Sequence, residues 1–173
     1  MDDLENLDDT QNAMRWLSRH LVSLSCSHFV TKDRSDPRYF IISGFLVSMN
    51  DMWYLATAAH VLDDIDQLLA DHPERTYAFQ IVDFFDPESK HKLSVPFDYS
   101  SSHRFRTDHE AIGADVGLIY IAPFYRRQME ANPQTPIDER NWRIDMDFEP
   151  VVHLIIGIPN EGVTPVRPEF KVI

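Results

Sequence analysis

The feature that most restricts this chain is a pair of apolar, aromatic-rich runs, YFIISGFLVS at 39–48 and MWYLAT at 52–57, separated only by Met49, Asn50 and Asp51. β-Branched and aromatic side chains suit a pleated, half-buried surface, and Asn and Asp tolerate a tight reversal. The two runs are therefore expected to pair as a β-hairpin. Gly44, inside the first run, predicts a bulge or a place where another backbone comes close.

The rest of the chain adds strands to this hairpin. Ahead of it, Val22, Leu24, Cys26, His28 and Val30 alternate with Ser23, Ser25, Ser27 and Phe29, the two-residue period of a half-buried strand. KDRSDP (32–37) reads as the turn between them. Behind the hairpin, VLDDIDQLLADH places Val61, Leu62, Ile65, Leu68 and Leu69 on one helical face. TYAFQIVDFF (76–85) and HKLSVPFDY (91–99) read as strands around the turn DPES, residues 100–112 as a polar loop, and DVGLIYI (115–121) and VVHLIIGIP (151–159) as further strands. Before all of these, Ala13, Met14, Trp16, Leu17 and Leu21 recur at helical spacing behind an acidic start. Roughly seven strands with short helices make a mainly β chain, and the strands before the Pro-bearing stretch 123–142 suffice to close a small antiparallel barrel.

Composition narrows the function classes. Sixteen Lys and Arg against 28 Asp and Glu leave a net charge of -12, and no basic stripe exceeds the Arg126-Arg127 pair, so a phosphate-binding surface is not expected. Cys26 is the single cysteine, which excludes an intramolecular disulfide and Cys-rich zinc sites, and alternation puts it on the inner face of its strand. The start MDDLENLDD is the opposite of a signal peptide, and no apolar run approaches the ~20 residues that span a bilayer. The expected compartment is the cytoplasm, with no membrane, nucleic acid or cofactor. Two acid–histidine clusters, His60 with Asp63, Asp64 and His72, and Asp108-His109-Glu110, raise the question of a metal. No His-x-x-x-His pair occurs on a helix, and acids in a helix's first turn are explained by the macrodipole, so no metal is expected.

Two segments carry chemistry. SGFLVSMNDMWYLATAAHVL resembles the first catalytic segment of the trypsin-like (chymotrypsin-fold) serine proteases, in which a hairpin ends in Thr-Ala-Ala-His and the histidine is the general base. ADVGLIYI resembles that family's second segment, an Asp leading a buried strand, 55 residues after His60 and in the His-then-Asp order of that branch. The resemblance implies catalytic roles for His60 and Asp115, with a peptide or protein as substrate. An imidazole works as a base at neutral pH when one ring nitrogen faces the substrate and the other is fixed by a partner. A carboxylate on that second nitrogen sets the tautomer and stabilises the imidazolium. Ala58 and Ala59 are small enough for the backbone to turn closely behind His60. Gly157 and Pro159 of VVHLIIGIPNEG match the strand that enters the family's second barrel, and Ser43-Gly44 matches its structural Ser/Thr-Gly-Phe. The implied fold is the trypsin-like double β-barrel, represented by its first barrel and the start of the second. Residues 1–21 would form an N-terminal helical arm, 22–122 the first barrel, 123–150 the inter-barrel linker and 151–173 the opening of the second.

The family's Gly-x-Ser-Gly-Gly nucleophile segment does not occur, and NEGVTPVRPEFKVI contains no serine. The oxyanion hole and the specificity pocket belong to the same missing segment. The expectation is a protease truncated before its nucleophile and inactive as this chain, or else a catalytically dead protease-like interaction or scaffold module. The 173-residue chain should therefore show no endopeptidase activity, because loss of the nucleophile removes nearly all triad-specific acceleration. Turnover of a peptide substrate that disappears in His60→Ala would overturn this expectation.

Overall fold

The expected hairpin forms. In the computed structural model, which describes residues 12, 15–29, 37–83, 94–107, 114–132 and 134–141, strand β2 (Pro37–Met49) pairs antiparallel with β3 (Met52–Thr57), and Met49 faces Met52 across a two-residue turn. Asn50 and Asp51 both take positive φ, 51° and 62°, as a type I′ turn requires. Asn and Asp are the non-glycine residues that accept this conformation most readily. The expected turn narrows to these two residues, because Met49 stays in the ladder.

β1 (Leu21–Phe29) lies between β2 and β4 (Thr76–Val82), antiparallel to both. Val22, Leu24, Cys26 and His28 are buried, as alternation predicts, and Ser23 is buried as well, so the start of this inner strand is covered on both faces. Burial pushes the Cys26 thiol up to about 12, which makes it a packing residue rather than a nucleophile. The remaining strands, β5 (Ser94–Phe97), β6 (Arg104–Arg106) and β7 (Gly117–Ile121), complete one antiparallel seven-stranded sheet in the order β5-β4-β1-β2-β3-β7-β6. β6 corrects the expectation of a loop through 100–112: Arg104-Phe105-Arg106 is a polar strand that pairs with β7. Among the described residues, one longer helix follows β3 and another follows β7. α1 (Ala59–Asp71) buries Ala59, Leu62 and Ile65, and α2 (Pro123–Glu130) buries Met129.

The connection from β5 to β6 dictates the sheet's shape. These strands occupy opposite edges of the sheet, yet only residues 98–103 join them. Seven strands laid flat would set the outer two about 29 Å apart at ~4.8 Å per pairing. Seven Cα–Cα steps reach about 25 Å even when fully extended. The link is moreover coiled into turns: the Ser102 N–H donates to Tyr99 O at 3.2 Å and the Ser101 N–H to Asp98 Oδ1 at 3.1 Å. The sheet must therefore curl until its edges approach. Tyr99 fills the interior so made, fully buried, stacked on Phe79 at 4.7 Å and donating its hydroxyl to Leu62 O at 3.4 Å. One core gathers Leu24, Leu46, Leu55, Ile81, Val95 and Ile119 from six strands, with Leu62 of α1.

Of the expected linker, 123–132 and 134–141 are described. They carry α2, whose Tyr125 meets Phe97 of β5 at 4.8 Å, and a segment in which Ile137 bonds the backbone of Leu46 and Ser48. Of the expected arm, residues 15–18 are helical. The VVHLIIGIP strand, with Gly157 and Pro159, the KDRSDP turn before Pro37, DPES and the Asp108-His109-Glu110 cluster lie outside the described residues. Among the described residues no helix is long and apolar enough to cross a membrane.

Gly44 of β2 sits close against β3. A Cβ there would meet Ala56 O and Leu55 Cδ2, each at 2.8 Å, which is the close backbone approach expected of it. Gly44→Ala must push β2 off β3 and should destabilise the fold by about 1–3 kcal/mol. Urea unfolding of the variant checks this, and an unchanged midpoint would show that the strand gives way freely.

Candidate active site

α1 begins one residue before the histidine. Ala58 is extended, with φ -78° and ψ 143°, and its side chain offers no capping oxygen. The first N–H groups of such a helix have no partner of their own and must find one elsewhere. The structure supplies Asp115, from the segment that leads into β7. Its Oδ1 accepts from the His60 backbone N–H at 3.0 Å. Its Oδ2 pairs with the His60 ring at Nδ1. One carboxylate thus caps the helix and holds the imidazole on it.

β7 and α1 are pressed together to allow this. A Cβ on Gly117 would meet Leu62 Cδ1 at 2.7 Å and Ala58 O at 3.0 Å, so only glycine lets the strand after Asp115 reach the helix start. On the hairpin side, the Thr57 hydroxyl donates to Ser43 O at 3.0 Å and ties the end of β3 to β2 just before the turn into α1. Of the two alanines in the Thr-Ala-Ala-His run, Ala59 is buried, and Ala58 contributes the carbonyl that Gly117 approaches.

Electrostatics follow from the same bonds. The His60 backbone N–H, followed by its ring, holds the Asp115 carboxyl below the ordinary carboxylate range. An ionised carboxylate only accepts, so Nδ1 carries the proton in this pair, and in the neutral ring the lone pair sits on Nε2. No partner of Nε2 exists among the described residues, and the side chain is 67% exposed. A basic nitrogen of fixed tautomer is presented to solvent, the state a general base needs.

The surrounding acids have a different role from the one expected. Because α1 starts at Ala59, its first turn holds no acid. Asp63 and Asp66 lie further along and face β6. Arg106 Nε meets Asp63 Oδ1 at 2.7 Å and its guanidinium also pairs with Asp66, while Arg104 Nη2 reaches Asp66 Oδ1 at 3.4 Å. These arginines were not legible as partners in the sequence; the Arg-Phe-Arg alternation was their one signal, and it is three residues long. His72 pairs with Glu74 at 3.6 Å, and among the described residues no three His, Cys, Asp or Glu side chains are grouped to hold a metal ion. A cleft of about 590 Å³ lined by Tyr77, Phe79, Phe97, Asp98 and Tyr125 lies elsewhere and includes neither His60 nor Asp115.

Compared with models of known families, with curated proteins and with solved structures, the chain matches none. The site is thus defined by its geometry alone.

The depressed Asp115 carboxyl makes a pH-dependent contribution to folding. Its folded-state pKa lies below the unfolded value, so the stabilisation is fully present above the ordinary carboxylate range near pH 4 and is lost as pH falls through the folded value. Asp115→Asn should be less stable than the parent at pH 7, and the gap should shrink as pH drops below about 4. Denaturant unfolding at several pH values checks this, and a gap that does not vary with pH would rule out the carboxylate as its source.

Proposed function

We propose that His60 and Asp115 are the general base and orienting carboxylate of a serine-protease-type site, acting in peptide-bond hydrolysis with a serine that is not among these 173 residues. The observation that carries the reading is the double hold on His60: one Asp115 oxygen takes its backbone N–H and the other its Nδ1, leaving Nε2 as the basic nitrogen. In hydrolysis of this type, Nε2 takes the serine proton as the hydroxyl attacks the scissile carbonyl, then returns it to the leaving amine. Asp115 stays ionised throughout and stabilises the imidazolium between those steps.

The fold supports the same reading at a coarser level. The curled seven-stranded sheet is taken as the first barrel of a trypsin-like pair, with residues 123–150 as linker and 151–173 opening the second. Phe105 and Val116 are exposed, and Val116 adjoins Asp115 while Phe105 pairs with Leu118 of β7. Apolar surface beside a catalytic pair suits a site completed by a second body. The same surface, together with the absence of a Gly-x-Ser-Gly segment from these residues, favours the second reading, a protease-like interaction module without catalysis.

The test is the protein as its native source makes it, examined by intact mass and by a fluorophosphonate probe, which reacts with serine nucleophiles activated in this way. The expected outcome is a mass above 20.2 kDa and a labelled serine, with labelling slowed by several orders of magnitude in His60→Ala. A product of 20.2 kDa that takes no label would overturn the catalytic reading and leave the interaction module.

A further inference from the structure

β6 is only three residues long, yet the residues at its end reach both halves of the pair. On one side the Arg106 guanidinium binds Asp63 and Asp66 of α1, the helix that carries His60. On the other side is Thr107. Its N–H donates to Val116 O at 2.9 Å, and its hydroxyl accepts from the Val116 N–H at 2.9 Å. A hydroxyl has one proton to give, and Ala114 O at 3.1 Å and Val116 O at 3.2 Å are its two acceptors. Ala114 and Val116 flank Asp115. The backbone on both sides of the carboxylate is therefore tied to one threonine.

Asp115 has need of such a tie. It precedes the β7 ladder, which begins at Gly117, and its carboxylate must satisfy two donors in different directions at once. A small rotation of its backbone would keep one bond and lose the other. Ion pairs at the surface hold weakly on their own, and the Asp63 side chain is 66% exposed, so Arg106 steers the helix while the hydroxyl sets the fixed point.

We propose that Thr107 is the positioning residue of the His60–Asp115 pair, clamping residues 114–116 to the strand whose Arg106 holds α1. The role as a device of catalysis rests on reading the pair as a catalytic base and its orienter; the clamp itself does not. Thr107→Val keeps the shape and deletes every hydroxyl bond, and Thr107→Ser restores them.

The test is a carbon-detected NMR titration of the aspartate carboxyls in the 173-residue chain. Asp98 is the internal control: its carboxyl is also held low, but by Ser101 at the other end of the β5–β6 link. The expected result is a rise of the Asp115 pKa towards the ordinary carboxylate range in Thr107→Val, with Asp98 unmoved and Thr107→Ser behaving as the parent. An Asp115 titration unchanged in Thr107→Val overturns the proposal. So does a rise shared equally by Asp98, which marks general loosening. If Thr107→Val does not fold, Thr107→Ala and Thr107→Ser decide on the same criterion, alanine raising Asp115 alone and serine leaving it in place. Absence of His60-dependent labelling in the native product would defeat the catalytic reading without moving this titration, so the two failures are separable.

Discussion

Everything of consequence in this structure converges on one carboxylate set against the start of a helix. A helix that opens on Ala58-Ala59-His60 has no side chain of its own with which to satisfy its first N–H groups. Asp115 brings the missing acceptor from 55 residues away and is held ionised by what it accepts. The carboxylate that caps the helix with one oxygen fixes the imidazole tautomer with the other. Helix capping and imidazole orientation thus draw on one side chain.

That interaction depends on the antiparallel register of β3 and β7. Asp115 leads into β7, which pairs with β3 along Trp53 to Thr57, so the segment before β7 runs out beside the segment after β3. The turn into α1 and the approach to β7 are consequently neighbours, and Gly117 removes the last obstacle between them. At the far end of the β5–β6 link, Arg104 folds back on that link, lying over the ring of Tyr99 at 4.4 Å and donating to Ser102 O at 3.0 Å. A flat sheet would have left β6 far from β5 and could not have been served by so short a connection.

Much of the fold was legible because its signals are local. Period-two alternation in β1, the Asn50-Asp51 reversal and the helical spacing of Leu62 and Ile65 are each written within a few residues. The misread parts had signals too short or of the wrong kind. Arg104-Phe105-Arg106 looked like loop because two charges outweigh one aromatic, and it became a strand because β7 offered a ladder. Asp63 and Asp66 suggested a favourable charge at a helix start, but the helix begins earlier than the apolar pattern does. Their partners sit about 40 residues away, a distance that no periodicity spans.

By itself the sequence determined that this chain is mainly β, where its hairpin turns, and that a histidine and an aspartate stand in the His-then-Asp order at the ends of apolar runs. These follow from side-chain size, branching and charge read residue by residue. Only the tertiary structure decided that Asp115 caps α1 as well as holding Nδ1, that Arg106 and Thr107 grip the two sides of the pair, and that the sheet curls so that its edges approach. The reason is physical: each of these is a bond between groups far apart in the chain, and its existence depends on strand register and curvature. Both are settled by the packing of the whole core at once.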